Sequence, residues 1–344
     1  MTTAYLALDD ELVVARGGTA GWRASRELVG RSPRCLAADP DRPERVWCGT
    51  SGVGLWATTD AGATWEARGE RLATADLTSV AASPIERAGD SPVLYAGTEP
   101  SALFRSEDDG RTWRELTALT QLPSQPEWSF PPRPYTSHVR WITPDPHRPG
   151  TVYICIEAGA LVRSFDGGET WLDRVADGPF DTHTLAVHRL IPDRLWSAAG
   201  DGVFAPGRGF NVSRDRGETW ERPDEGLGHH YLWSVALDPA DPETLVVSGA
   251  SSPRTAHDAS QASSTVYRRS AGAPWQEVRD GLPAPVGTTR AVLATSPAEP
   301  GAFYAASNRG LYRSADTGRT WGRLDLEWPD RFLSQAVGAL VVTP

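Results

Sequence analysis

One eight-residue segment recurs five times along the chain, and its spacing leaves few folds open. The copies run from Thr58 to Trp65, Ser106 to Trp113, Ser164 to Trp171, Ser213 to Trp220 and Ser314 to Trp321, on the template S/T-x-D-x-G-x-T-W. These residue types suit a tight turn between two strands. The Asp side chain accepts backbone N–H bonds across the turn, and Gly supplies a positive φ. The Trp then starts the next strand as a large packing anchor.

The turns mark a larger unit. An apolar strand ending near a proline comes first, as in Cys35-Leu36-Ala37-Ala38-Asp39-Pro40. A second strand (45–49), a third (54–57), the motif and a fourth strand follow. Such a four-stranded meander, repeated every ~40–50 residues, is the blade of a β-propeller. First strands are read at 34–38, 78–82, 140–143, 183–188, 233–237, 291–294 and 338–342. The last has no partners downstream, whereas 4–8, 11–15 and 22–28 supply second, third and fourth strands with no first. The C-terminal strand is therefore expected to complete a blade begun by the N-terminus, removing free sheet edges.

The expected fold is all-β: a single seven-bladed propeller over 1–344, built of four-stranded antiparallel blades. Blades one to six cover about 31–70, 71–119, 136–176, 181–223, 229–280 and 286–327, with 1–30 and 333–344 forming the closing blade. The motif has decayed in blade five (270–275) and in the closing blade (16–22), where a Trp persists in each.

A formal charge of −10 without basic runs argues against nucleic acid. No apolar stretch approaches a membrane span, and the first residues do not read as an export signal. The odd set Cys35, Cys48 and Cys155 lies in apolar strand contexts and reads as buried, reduced thiols. These readings point to a soluble cytoplasmic protein.

Function is sought where the repeat is broken. Segment 119–137 between blades two and three is rich in Pro and aromatics. Segments 201–210 and 251–264 lengthen the second-to-third strand turns of blades four and five; the latter, rich in Ser and Ala, is expected to be mobile. All three fall on the face where the inner strands begin.

Aligned on their prolines, with Arg189 in that place in blade four, the inner strands place Leu36, Val80, Ile142, Leu185, Val235, Leu293 and Leu340 low in the channel. Two residues earlier stand Arg34, Thr78, Arg140, His183, Trp233, Ala291 and Gly338. Two earlier again are Ser32, Asp76, His138, Asp181, Tyr231, Thr289 and Ala336. Period-two alternation turns these sets to one side, an apolar ring giving way to a polar, aromatic mouth. Five of the seven histidines (His138, His183, His229, His230, His257) fall at this mouth or its loops, and Glu99, Glu157 and Asp201 sit in nearby turns.

The candidate catalytic residues are His138 and His183, oriented by Asp181 or Glu157 as acid–base pairs. Arg34, Arg140 and Arg290 either bind an anion or neutralise Asp76 and Asp181 across the channel. Tyr231 and Trp233 either stack on a ligand ring or pack the core, and Arg133 and His229 complete the ligand-binding set. His138, His183 and His230, with Glu157, are the candidate ligands for a divalent metal.

The repeated template resembles the Asp box, or BNR repeat, of sialidase-like and sortilin-like β-propellers of the WD40/YVTN/BNR type. The resemblance spans nearly the whole chain and implies the propeller fold, with the motif itself structural. Sialidases imply six blades, an arginine triad, a Tyr–Glu nucleophile pair and an Asp acid. This chain departs from that pattern in its seven blades, in lacking Arg-Ile-Pro near the N-terminus, and in having no Glu partner for Tyr231. Seven-bladed proteins with such boxes include photosystem II assembly-factor-like scaffolds, sortilin-type receptors and xyloglucan-degrading enzymes. The last imply widely spaced carboxylates, for which Asp76, Asp181 and Glu157 stand here.

The function expected is a ligand- or substrate-binding propeller, its pocket at the channel mouth near blades three to five. A small polar or anionic molecule is the expected ligand, with hydrolase or lyase chemistry as the enzymatic form. The alternative is a non-enzymatic scaffold gripping a protein partner by the same face. A sialidase-type glycoside hydrolase is the third reading. Neither nucleic acid nor membrane is expected as a partner.

Overall fold

The computed structural model describes residues 1–18 and 21–344. Seven antiparallel sheets follow one another round a central channel, each a meander paired in sequence order from its inner strand outwards. In blades one, two, five and six the four strands are complete. In blades three and four the fourth strand shrinks to a single bridge, Arg163 with Leu172 and Val212 with Glu221. The closing blade takes its inner strand from Ala339–Thr343 and its others from Thr2–Ala7, Leu12–Gly18 and Gly21–Glu27. Its decayed motif (16–22) crosses residues 19–20, which lie outside the described residues.

The five motifs fold alike. In each, the first hydroxyl accepts from the Gly N–H and donates to the Asp, as Ser213 does with Gly217 (2.7 Å) and Asp215 (2.7 Å). The Asp then accepts from the Thr N–H (2.9 Å) and the Thr hydroxyl (2.6 Å). The Gly takes a positive φ, 94° at Gly168, and so does the residue before it, even where that residue is Asp109 (65°) or Thr317 (60°). Glycine is also required by space. A Cβ on Gly168 would lie 2.4 Å from Leu116, and one on Gly318 2.8 Å from Val246, side chains of the preceding blade. Each turn is thus also a contact between blades.

The core lies between blades and is mainly apolar, with Trp47, Trp196, Tyr5, Tyr95, Tyr153 and Tyr304 among its largest fully buried side chains. Leu36, Val80, Ile142, Leu185, Val235, Leu293 and Leu340 are all buried and line the lower channel, a cavity of about 520 Å³. All three cysteines are buried free thiols.

Candidate functional site at the channel mouth

Above that apolar ring the channel opens into a chamber of about 820 Å³. Arg34, Thr78, Arg140 and Gly338 line both spaces and form the collar between them. The collar has a local cause. In five blades the inner strand carries a register shift that leaves one residue unpaired: Arg34, Thr78, Arg140, His183 or Trp233. Such bulges re-aim a side chain, and here they fall at the same level of successive blades. The second-to-third strand turns add Ser51, Glu157 and the segment 253–258, and the 119–137 connection adds Phe130 to Arg133.

The inserted segments are built rather than loose. The 119–137 connection forms short 3-10 turns at Thr117–Gln121 and Gln125–Glu127. Arg133 then makes a bidentate pair with Glu99 (2.8 and 2.6 Å) and lies over Phe130. The turn expected to be mobile folds as a helix, Pro253–His257. Ser252 and Thr255 form a reciprocal capping box that offsets the cost of ordering it.

Carboxylates and imidazoles meet on the blade-three and blade-four side. His138 is buried, and its Nε2 donates to Glu157 Oε2 (2.9 Å), while its Nδ1 stands 3.8 Å from Glu99. Arg140 Nε approaches the same Glu157 oxygen at 3.6 Å. His183 is fully buried, with Nδ1 2.7 Å from the Leu232 carbonyl and Nε2 3.6 Å from Asp181 Oδ1. Asp181 accepts from the Ala158 N–H at 2.9 Å. Burial pushes Asp181 up from the ordinary carboxylate range against the pull of the His183 charge. Burial acts on Glu157 in the same sense, yet the His138 hydrogen bond and the charges of His183, His138 and Arg140 outweigh it and hold it low. Asp201 is pushed up by burial and ties the turn together by accepting from the Phe180 and Asp181 N–H groups.

The blade-five side is aromatic and cationic. The guanidinium carbons of Arg140 and Arg290 lie 4.4 and 4.0 Å from the Trp233 ring centroid. The His183 and His257 rings lie 4.5 Å from the same ring. Arg290 is 5% exposed and donates to the Val337 carbonyl (2.5 Å). Its Nε and that of Arg140 are buried without a hydrogen-bond partner. Burial, then the Arg140 charge, pushes Arg290 below the usual arginine range. His257 is pushed down to about 2 by burial, then by Arg290 and His183, so its ring is neutral. Its Nε2 lies 3.1 Å from the Tyr231 hydroxyl, which burial raises well above its ordinary range.

Of the residues singled out from sequence, Arg34, Asp76, Arg133, His138, Arg140, Glu157, Asp181, Tyr231, Trp233 and Arg290 line the chamber. His183 lies directly behind this lining. His229 and His230 stand apart: His229 bonds the Tyr267 hydroxyl (2.7 Å), and His230 packs against Gly202 and Gly209 in the blade-four turn. The converging trio among the described residues is therefore Glu157, Asp181 and His183, whose ligand atoms lie within 4.8 Å of one another. Asp76 is held by the Ser51 hydroxyl (2.6 Å). Sequence reasoning gave no role to His257 or to Arg254 beside it. The Ser252-Pro253-Arg254-Thr255 capping pattern was the available signal.

No protein-family model matches the chain, and no curated protein matches it by sequence. Solved structures do. A GH74 enzyme from Niastella koreensis superposes with a TM-score of 0.63 at 17% identity, over 93% of this chain and 54% of that one. An ancestral GH74 enzyme gives 0.62 at 15%, over 85% and 38%. YCF48 bound to D1 peptide gives 0.57 at 17%, over 91% and 92%. The chain thus spans about half the length, or less, of the GH74 enzymes and nearly all of YCF48. At these identities the likeness establishes the seven-bladed propeller fold.

Proposed function

We propose that the mouth chamber binds a small anionic molecule, and that its carboxylate–imidazole side performs acid–base chemistry of the hydrolase or lyase kind. One observation carries the reading: two arginine guanidiniums lie over Trp233 in a chamber wall, and the Nε of each is buried without a hydrogen-bond partner, Glu157 standing 3.6 Å from that of Arg140. Two neighbouring cations at low exposure raise the energy of the empty pocket, and an anion beside them relieves it. Guanidinium groups offer the bidentate geometry that carboxylates, sulfonates and phosphates accept. Trp233 and Tyr231 supply the apolar wall for a ring or short chain. His138, ordered by Glu157, is placed to move a proton at the bound molecule. The three buried free thiols fit a reducing compartment, so a cytoplasmic location belongs to the same proposal.

The test is thermal stabilisation by benzoate, benzenesulfonate and phenyl phosphate against neutral benzamide, in the native protein and in Arg290→Met. Anions are expected to stabilise the native protein selectively. The variant should lose about 1.5–3 kcal/mol of binding, roughly tenfold to a hundredfold in affinity. Equal effects of charged and neutral probes, or an unaffected variant, would overturn the reading.

A second reading has its own support. Tyr135, Phe204 and Val286 are 85%, 86% and 80% exposed on the loops of the mouth face. A fold neighbour of similar extent, YCF48, is seen with a peptide bound. A protein partner gripped by this rim predicts that Phe204→Ser weakens the association while Arg290→Met leaves it intact.

A further inference from the structure

His183 holds a proton on the wrong side for a simple ion pair. Its Nδ1 faces the Leu232 carbonyl at 2.7 Å. A carbonyl can only accept, so Nδ1 carries the hydrogen, and in the neutral form of the ring Nε2 presents a bare lone pair. That nitrogen is buried without a hydrogen-bond partner, on a side chain with no exposure. It points at two carboxylates, which when ionised also offer only lone pairs. Three electron-pair donors facing one another unbridged repel. An acceptor of lone pairs held among all three, as a metal ion is, relieves that repulsion.

We propose that Glu157, Asp181 and His183 form a site for one divalent metal ion of the zinc or manganese class, open towards the chamber. An imidazole with two carboxylates is a donor set suited to first-row divalent ions. The surrounding contacts are those that orient such ligands: a carbonyl on the far nitrogen of the imidazole and hydrogen bonds to each carboxylate. Asp181 is held by the Ala158 N–H. His138 and Arg140 both approach Oε2 of Glu157, leaving Oε1 for the ion. The 3.6 Å between His183 Nε2 and Asp181 Oδ1 is near the edge length of about 3.4 Å set by tetrahedral ligands at about 2.1 Å. Glu157 and Asp181 line the chamber, so the remaining position faces the space where a ligand would lie. An open position of this kind belongs to catalytic rather than closed structural sites. His138, placed by its sequence position among the candidate metal ligands, orients Glu157 instead, and His230 is absent from the cluster.

The site does not depend on the anion reading, and the test keeps the two apart. Untagged protein is stripped with a chelator and dialysed against zinc or manganese chloride, and bound metal is measured by elemental analysis. One equivalent per chain is expected in the native protein and in Arg290→Met. The near-isosteric Glu157→Gln and Asp181→Asn variants should fall to background with unchanged circular dichroism. Uptake of neither ion, or equal uptake in all variants, overturns the metal site. Anion stabilisation of the stripped protein would in that case still stand.

Discussion

The aspartate of each repeated turn draws its hydrogen bonds onto a single carboxylate. Asp215 accepts from the Ser213 hydroxyl, the Glu218 and Thr219 N–H groups and the Thr219 hydroxyl. Burial pushes the carboxylate up, but the Thr219 and Ser213 bonds together outweigh it and pull it down to about 2. Asp215→Ala removes them all at a partly exposed turn, and we expect a loss of about 1–3 kcal/mol in chemical denaturation. An unchanged midpoint would show that the turn is held by the Gly and Trp alone. His188 makes the opposite kind of pH argument. Its Nε2 donates to the Asp238 carbonyl (2.8 Å) and its Nδ1 accepts from the Leu190 N–H (3.1 Å), so protonation must break the second bond. Burial lowers its pKa and the Arg189 charge adds to that, while Asp238 and Asp241 oppose it. A depressed histidine binds its proton more tightly unfolded. Its contribution is therefore present above the unfolded value of about 6.5 and is lost as pH falls through the lower folded value. His188→Asn should flatten the acid slope of melting temperature over that window. Parallel slopes in the two proteins would refute the assignment.

Elements show how far sequence could lead. The turns, the apolar ring and the split closing blade were legible because each is written locally: a motif, a period of two, a strand without partners. The bulges at Arg34, Thr78, Arg140, His183 and Trp233 were not, since a register shift exists only relative to the neighbouring strand. The helix Pro253–His257 was missed because composition outweighed the capping signal in Ser252-x-x-Thr255. The closing strand yields a direct prediction. Ala339–Thr343 pairs with Thr2–Ala7 from Ala7↔Ala339 to Thr3↔Thr343 and buries Leu340 and Val342. A chain ending at Gly338 would expose that edge and open the ring. We expect it to aggregate or to lose its cooperative melt, and a truncated protein melting like the full chain would contradict the closure argument.

At the scale of the whole molecule, seven blades bring residues distant in sequence onto one ring. Inner-strand alignment recovered nine of the residues that line the chamber, because each blade delivers equivalent positions to equivalent heights. It misassigned neighbours round the rim, where His229 and His230 turn into blade contacts, because loop direction is set by packing and not by period. The cationic wall has the same origin: Arg140 from blade three and Arg290, just before the inner strand of blade six, meet over Trp233. The central claim is that this wall is where a ligand sits. It is tested most directly by a crystal structure of the protein soaked with the anion that stabilises it best. The expected result is density against Trp233, with the charged group against the Arg140 and Arg290 guanidiniums and the remainder towards Glu157. Density confined to the outer rim near Tyr135 and Phe204, with an unchanged chamber, would contradict it.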